Sequence, residues 1–561
     1  MRRMAAWLLP GLAVGLLVLG PARRAEACGC FAIPTPATPV LQAGERILFA
    51  RDGNDIVAYI QIQYQGAADQ FAWLVPLPSV PKVSIGTDEL FSQLETAAAP
   101  RYLENNVYIS CNGDTTTTSS GFGCGSSAFS SASTDGGRVG YSDMSAANGD
   151  IVVEHSSIGP YDYAVLKADN DTELTTWLKD NSYFVPANTD AALKPYLHSG
   201  AYFLALKLRG GESVGDLVPV VLRYPSDNPM IPITLTSVGA VPHMGILVYM
   251  LGEGRGVPLN YYHSVLNDLK YWQSVTTLPA LIDRAVSEAP QHHTFFTQYH
   301  GPSSVVQRLD YSGRFGSATV LASLSDPAEY LSYLRFNGFT FTPALLAILQ
   351  QALPVPAGVN VGQYYFNYNQ YDYLRGYTDA GVPVDNNFDP VAVTAEIEER
   401  VVKPAKEAQL LLSAHPDLTR LYTTLSPEDM TVDPVFGWNK NLPAVSAGVL
   451  GTTTTPCRGS AWVENEVGIR MYINSTVPMP STLRLETLGL EGPPVVVTDN
   501  TDSIKASLAP IATTDTQSAT TSKNQGCGCG MTGDKNGLGM ALLLGVVALG
   551  LMVQRRRRSK I

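Results

Sequence analysis

Apolar and polar positions alternate early in the chain. Ile56, Ala58, Ile60, Ile62 and Tyr64 take every second place, with Gln61 and Gln63 between them, which predicts a half-buried strand over 56–64. A strand over 71–77 follows Gly66-Ala67-Ala68-Asp69, as in the return arm of a hairpin. Residues 87–98 change to helical spacing, with Thr87 as N-cap and Asp88 and Glu89 in the first turn, where the helix dipole favours acids. Residues 112–148 carry Gly, Ser and Thr throughout and read as a loop. A second block begins near Asp150. Asn170 and Glu173 have capping-box spacing for a helix over 170–181, and strands are expected over 202–209, 217–224, 231–237 and 245–251. From Leu278 onward helices are expected at 278–289, 327–336, 343–353 and 391–413, before strand-like segments at 462–473 and 483–488. There is no regular strand-then-helix alternation for a doubly wound sheet, and no repeat of fixed period. The expected class is α+β: mainly antiparallel sheets with packed helices, the helices more frequent in the second half. The expected division is a β-rich domain over 28–270 and an α+β region over 271–510.

Composition narrows the function classes. With 561 residues and 45% hydrophobic side chains, the chain can bury a sizeable core and is not a wholly disordered protein. The net charge of −12 understates the acidity of the body, because ten of the 38 basic residues lie in the two ends. Residues 28–530 hold 28 basic against 48 acidic side chains. Such a body is repelled by phosphate backbones, so nucleic acid is not an expected partner.

The ends point to a membrane. Arg2 and Arg3, an apolar stretch over 4–20 and Ala25-Glu26-Ala27 before Cys28 have the order of a cleaved secretory signal over 1–27. Cys28 directly behind the cut also allows an acylated start, although Ala25 and Glu26 depart from the residues that such a cut requires. At the other end, a flexible spacer and Cys motif over 511–530 contain Gly526-Cys527-Gly528-Cys529-Gly530. An apolar run over 538–553 and Arg555-Arg556-Arg557-Arg558 follow, so 531–561 reads as a transmembrane anchor and basic tail. The run alone spans roughly 24 Å of a ~30 Å hydrocarbon core, so preceding residues would have to extend it. The expected location is across the inner membrane, anchored to it or at the cell surface.

Residues 526–560 resemble the myxobacterial C-terminal sorting signal (MYXO-CTERM). That resemblance implies processing at Cys527 or Cys529 by a dedicated sorting protease, with display at the surface. The body, from Cys28-Gly29-Cys30 to about Asn267, resembles the domain of unknown function 2330 family. The resemblance is carried by Gln42-Ala43-Gly44-Glu45-Arg46-Ile47-Leu48-Phe49 and Phe71-Ala72-Trp73-Leu74-Val75-Pro76-Leu77-Pro78, with Gly159-Pro160-Tyr161-Asp162 and Phe203-Leu204-Ala205-Leu206-Lys207-Leu208. It implies one extracytoplasmic unit and supplies no catalytic residue.

Outside the cytoplasm, thiols oxidise where geometry allows. Cys111 and Cys124 bracket a Thr- and Ser-rich stretch with little capacity for a core and are expected to pair; Cys28 or Cys30 is the expected partner of Cys457. No CxxC pair or accompanying His has zinc spacing, so neither metal nor cofactor is expected. Gly211-Glu212-Ser213-Val214-Gly215 matches the G-x-S-x-G nucleophile pattern, but lies between two expected strands rather than at a strand-to-helix turn. His292, His293 and His300 are near in sequence without helical metal spacing. Gly252-Glu253-Gly254-Arg255-Gly256 reads as a tight turn. Tyr364, Tyr365, Tyr368, Tyr371 and Tyr373, beside Asn367, Asn369 and Gln370, are the candidate binding residues, because aromatic and amide groups stack on and hydrogen-bond to sugars or peptides. The leading expectation is a surface-displayed, membrane-anchored protein with a binding or structural role. The alternative is a secreted hydrolase using Ser213 or the three histidines.

Overall fold

The computed structural model describes residues 41–65, 72–120, 151–181, 183, 185, 189–198, 201–209, 217–273, 277–309, 311, 318–376, 387–473 and 475–508. The expected signal, spacer, sorting cysteines and anchor lie outside these residues, as do Cys28, Cys30, Cys124 and Ser213.

In chain order the strands of the first half are β1 (Leu41–Asp52), β2 (Asp55–Gln65), β3 (Ala72–Leu77), β4 (Lys82–Ile85), β5 (Arg101–Ile109), β6 (Thr115–Ser120), β7 (Val152–Ile158), β8 (Tyr161–Lys167), β9 (Tyr202–Leu208), β10 (Val220–Pro225), β11 (Ala240–Gly252), β12 (Arg255–Pro258) and β13 (Tyr262–Leu266). They are followed by β14 (Thr294–Pro302), β15 (Asp417–Leu425), β16 (Phe436–Asn439), β17 (Gly448–Thr455), β18 (Trp462–Asn465), β19 (Arg470–Tyr472), β20 (Thr482–Thr487) and β21 (Val495–Asp499). Ten form one sheet in the order β21-β20-β13-β14-β15-β11-β1-β2-β10-β4. A four-stranded sheet runs β3-β9-β8-β7, a five-stranded sheet β19-β18-β17-β5-β6, and β12 pairs with β16. The β1–β11, β13–β14 and β5–β17 pairs are parallel. With helices packed on these sheets, the fold is α+β.

Alternation along β1 sends Ile47 and Phe49 to one face of the large sheet and Leu48 and Ala50 to the other, and both faces are buried. On the Leu48 side lie the helices Asp88–Ala98, Leu278–Glu288 and Lys403–Ala414, through Leu90, Phe91, Leu94, Ile282, Ala285, Ala408 and Leu412. On the Ile47 side lie β3, β8 and β9, with the helices Pro327–Phe336 and Pro343–Ala352. β11 is therefore covered twice, which explains its unbroken apolar run from Ile246 to Leu251. Thr87 and Asn170 cap their helices as expected, accepting from the amides of Glu89 and Glu173.

Several expectations change. β2 is buried on both faces through Tyr59, because the Asp88–Ala98 helix covers Val57 and Tyr59. β3 is no hairpin partner of β2; it pairs with β9 in the four-stranded sheet. Part of the 112–148 segment is strand β6, held against β5. Residues 231–237 contain a helical turn, Ile233–Thr236, with Asp433 accepting from the Thr234 amide and hydroxyl at 2.9 and 2.8 Å. The helix over 391–413 divides into Pro390–Ile397 and Lys403–Ala414 around a π turn, where Pro404 has no amide to offer the preceding turn.

The boundary at 270 does not separate two folding units. β11 and β13 pair with β15 and β20, drawn from residues 417–487, and the described residues form one compact unit. The disulfide expectation is also corrected: Cys111 bonds to Cys457, with Cα atoms 5.0 Å apart. Parallel pairing of β5 with β17 sets Tyr108 beside Thr455, so both strands deliver their cysteines at the same end. Among the described residues no helix is long and apolar enough to cross a membrane.

Candidate functional site

Glu45 stands on β1 opposite Ile246 of β11 and Ile62 of β2, just after a register shift between Gln42 and Gly44. The strand period puts it on the same face as Ile47 and Phe49, toward the four-stranded sheet. There β3 contributes Trp73, Val75 and Leu77 from alternate positions. Between the two sheets is a cavity of about 310 Å³, walled by these side chains with Ala58, Ile60 and Leu222. Pro78, Pro195 and His198 line it and are exposed, marking its opening to solvent. An apolar cavity of this size with few polar groups has the form of a small-molecule site.

Glu45 is the unusual member. It is only 4% exposed, and its Oε2 has no hydrogen-bond partner. Burial pushes its carboxyl up to about 7. An unsatisfied buried acceptor costs about 1–3 kcal/mol, so such a group calls for an explanation. Two other polar groups of the lining are engaged: Asp433 by Thr234, and Ser226, whose hydroxyl donates to the Asn228 carbonyl at 3.0 Å, while the Tyr196 hydroxyl is buried without a hydrogen-bond partner. Burial also raises Asp433, against the hydrogen bonds that favour its charged form. Among the described residues no Lys or Arg lines the cavity.

The segments with family resemblance build this place. Residues 42–49 and 71–78 supply its two facing walls. Residues 203–208 are strand β9, which pairs with β3 at Leu206–Trp73 and Leu204–Val75. Gly159 turns the chain between β7 and β8 at φ 52°, where a Cβ would meet Ile85 Cγ2 at 2.9 Å, and the Tyr161 hydroxyl donates to the Val218 carbonyl at 2.6 Å.

The residues singled out from the sequence do not assemble into a site. Tyr364 and Tyr365 are core residues, fully buried, and Tyr365 donates to the Leu353 carbonyl at 2.7 Å. They lie in a short helix, Val361–Phe366, whose inward face they form; this corrects their place among the candidate binding residues. Tyr368, Tyr371 and Tyr373 are half-buried against the same core. His292 Nδ1 contacts Asp429 Oδ1 at 2.8 Å, while His293 Nε2 meets the Asp429 carbonyl at 2.9 Å and stacks on Tyr261. His300 is buried further along β14, with Nδ1 3.2 Å from the Thr419 hydroxyl. His292 and His293 thus both meet Asp429, while His300 is engaged elsewhere. Ser213 lies outside the described residues; the strands that flank it in sequence, β9 and β10, belong to different sheets.

Residues 252–256 do turn the chain, with Gly254 at φ 99°, yet Arg255 goes inward. Its Nη2 donates to His263 Nε2 at 2.9 Å and to the Thr297 hydroxyl at 2.7 Å, which leaves His263 Nδ1 to donate to Glu486 at 3.2 Å. Burial lowers His263 below its ordinary value, which suits that neutral form. The network extends through Glu486 to Arg484, leaves Arg255 Nε without a hydrogen-bond partner, and does not line the cavity. Among the described residues no group of three or more His, Cys, Asp or Glu side chains is arranged to hold a metal ion.

A model of the family described as an uncharacterized protein conserved in bacteria (DUF2330) matches residues 24–328, further than the motifs alone suggested. No curated protein and no solved structure matches the chain. The match covers more than half of the sequence and includes every strand that walls the cavity, and on that ground the chain belongs to the DUF2330 family.

Proposed function

We propose that this chain is an extracytoplasmic, membrane-anchored binding protein whose ligand enters the cavity between the ten-stranded and four-stranded sheets. One observation carries the binding reading: a buried carboxyl without a partner faces an apolar cavity that opens to solvent. The secretion order at 1–28 and the spacer, Cys motif, apolar run and arginines at 511–561 support the location. A sorting protease acting at Cys527 or Cys529 and membrane attachment through the C-terminal run belong to the same proposal.

Filling the cavity tests the binding reading. Ala58 is 1% exposed and lines the wall, so Ala58→Phe places a ring in the space a ligand needs. The neutral probe 2-phenylethanol is expected to raise the Tm of the unaltered protein at millimolar concentration and to leave that of the variant unchanged. Equal shifts in both proteins, or none in the unaltered one, would contradict the reading.

A further inference from the structure

We propose that the natural ligand joins a protonated amine to an apolar body, and that Glu45 is its counter-ion. The proposal rests on the cavity being the ligand site. Among the described residues two carboxyls, Glu45 and Asp433, line the cavity and no Lys or Arg does, so an anionic ligand meets repulsion there. Asp433 already accepts two hydrogen bonds from Thr234, whereas Glu45 Oε2 accepts none. A neutral alcohol would satisfy that acceptor but leave the cost of ionising it in an apolar wall. An ammonium group supplies both the donor and the opposite charge, in a short charge-assisted hydrogen bond. Trp73 and Tyr224 add aromatic surface, which cations favour over anions.

Protonation gives the inference a second readout. The Glu45 carboxyl titrates near 7, so below that pH an entering ammonium must displace its proton. Affinity for an amine therefore rises with pH from 6 to 8. The other titratable groups of the lining are Asp433, His198, Tyr196, Tyr202 and Tyr224. On the same strand, Arg46 is directed to Gln61. His198 is exposed and is the group whose titration could imitate that of Glu45.

The test is calorimetric titration of the mature full-length protein with 2-phenylethylamine, 2-phenylethanol and 3-phenylpropanoate at pH 6 and pH 8, repeated on Glu45→Gln. The amine is expected to bind about ten-fold more tightly than the alcohol at pH 8, with the carboxylate weakest, and to lose several-fold affinity at pH 6. Glu45→Gln should bring the amine down to the level of the alcohol and abolish its pH dependence. Carboxylate binding as tight as the amine, an amine advantage that survives Glu45→Gln, or a pH dependence retained in that variant would overturn the inference. The order of the three ligands in the unaltered protein decides the matter even if the variant does not fold. Binding of the alcohol with no preference for the amine refutes the ligand class alone, whereas binding of none of the three refutes the cavity as a site.

Discussion

Glu45 and Asp88 are carboxyls that burial pushes up to about 7, while Glu95 is held below the ordinary glutamate value. Burial raises Glu95 as well, but Arg420 at 2.8 Å and the more distant Arg46 outweigh it. The signs of their contributions to stability differ accordingly. A carboxyl raised in the folded state gives its full contribution below the unfolded value near 4.5 and loses it as pH rises through about 7. A lowered one contributes above the unfolded value and loses this as the solution is acidified. Glu45→Gln is therefore expected to be more stable than the unaltered protein at pH 8, by on the order of 2–3 kcal/mol, with the gap closing by pH 5. Urea unfolding at the two pH values measures it, and a gap that is the same at both, or reversed, would show that Glu45 is ionised and satisfied in the folded state. Glu45 entered the sequence reading only within the 42–49 stretch that carries the family resemblance. Its lack of a partner was not legible there, because that depends on β3 and Leu222, far away in sequence. Tyr364 and Tyr365 were misread for a related reason: tyrosine suits an interface and a core equally, and local sequence does not say which side of a short helix faces inward.

Elements governed by local chemistry were read well. The helices at Asp88–Ala98 and Asp171–Asp180 begin where Thr87 and Asn170 accept amide hydrogens, and those at Pro327–Phe336 and Pro343–Ala352 carry proline in the first turn. Elements decided by distant partners were not. Residues 231–237 are rich in Ile and Thr, which favour strands, yet Asp433 fixes the Thr234 amide in a helical turn. β3 follows β2 closely enough for a hairpin, but it pairs with β9 in the four-stranded sheet, and its Trp73, Val75 and Leu77 face the large sheet across the cavity. The candidate site is thus a product of the connection that sequence proximity most readily misjudges.

For the whole molecule, the large sheet joins β1 and β2 to β14, β15, β20 and β21, so the two halves of the described chain share one core. The Cys111–Cys457 bond closes a separation of 346 residues and reinforces that union; in the chain-entropy model such a closure is worth about 6 kcal/mol. One mass measurement under non-reducing conditions, on protein taken from its own membrane, covers this bond and the proposed processing together. The expected result is a peptide pair linking Cys111 to Cys457, a start at Cys28 and an end near Cys527 or Cys529. A Cys111–Cys124 pair would contradict the strand pairing that unites the halves, and a tail retained to Ile561 would contradict sorting.

The claim that everything else depends on is that the space beside Glu45 receives a ligand. A crystal structure of the mature protein purified from its own membrane tests it most directly. An organic molecule is expected between Trp73 and Leu222, with a polar atom within hydrogen-bond distance of Glu45. A cavity closed by its own side chains, or one in which ordered water alone satisfies Glu45, would contradict it.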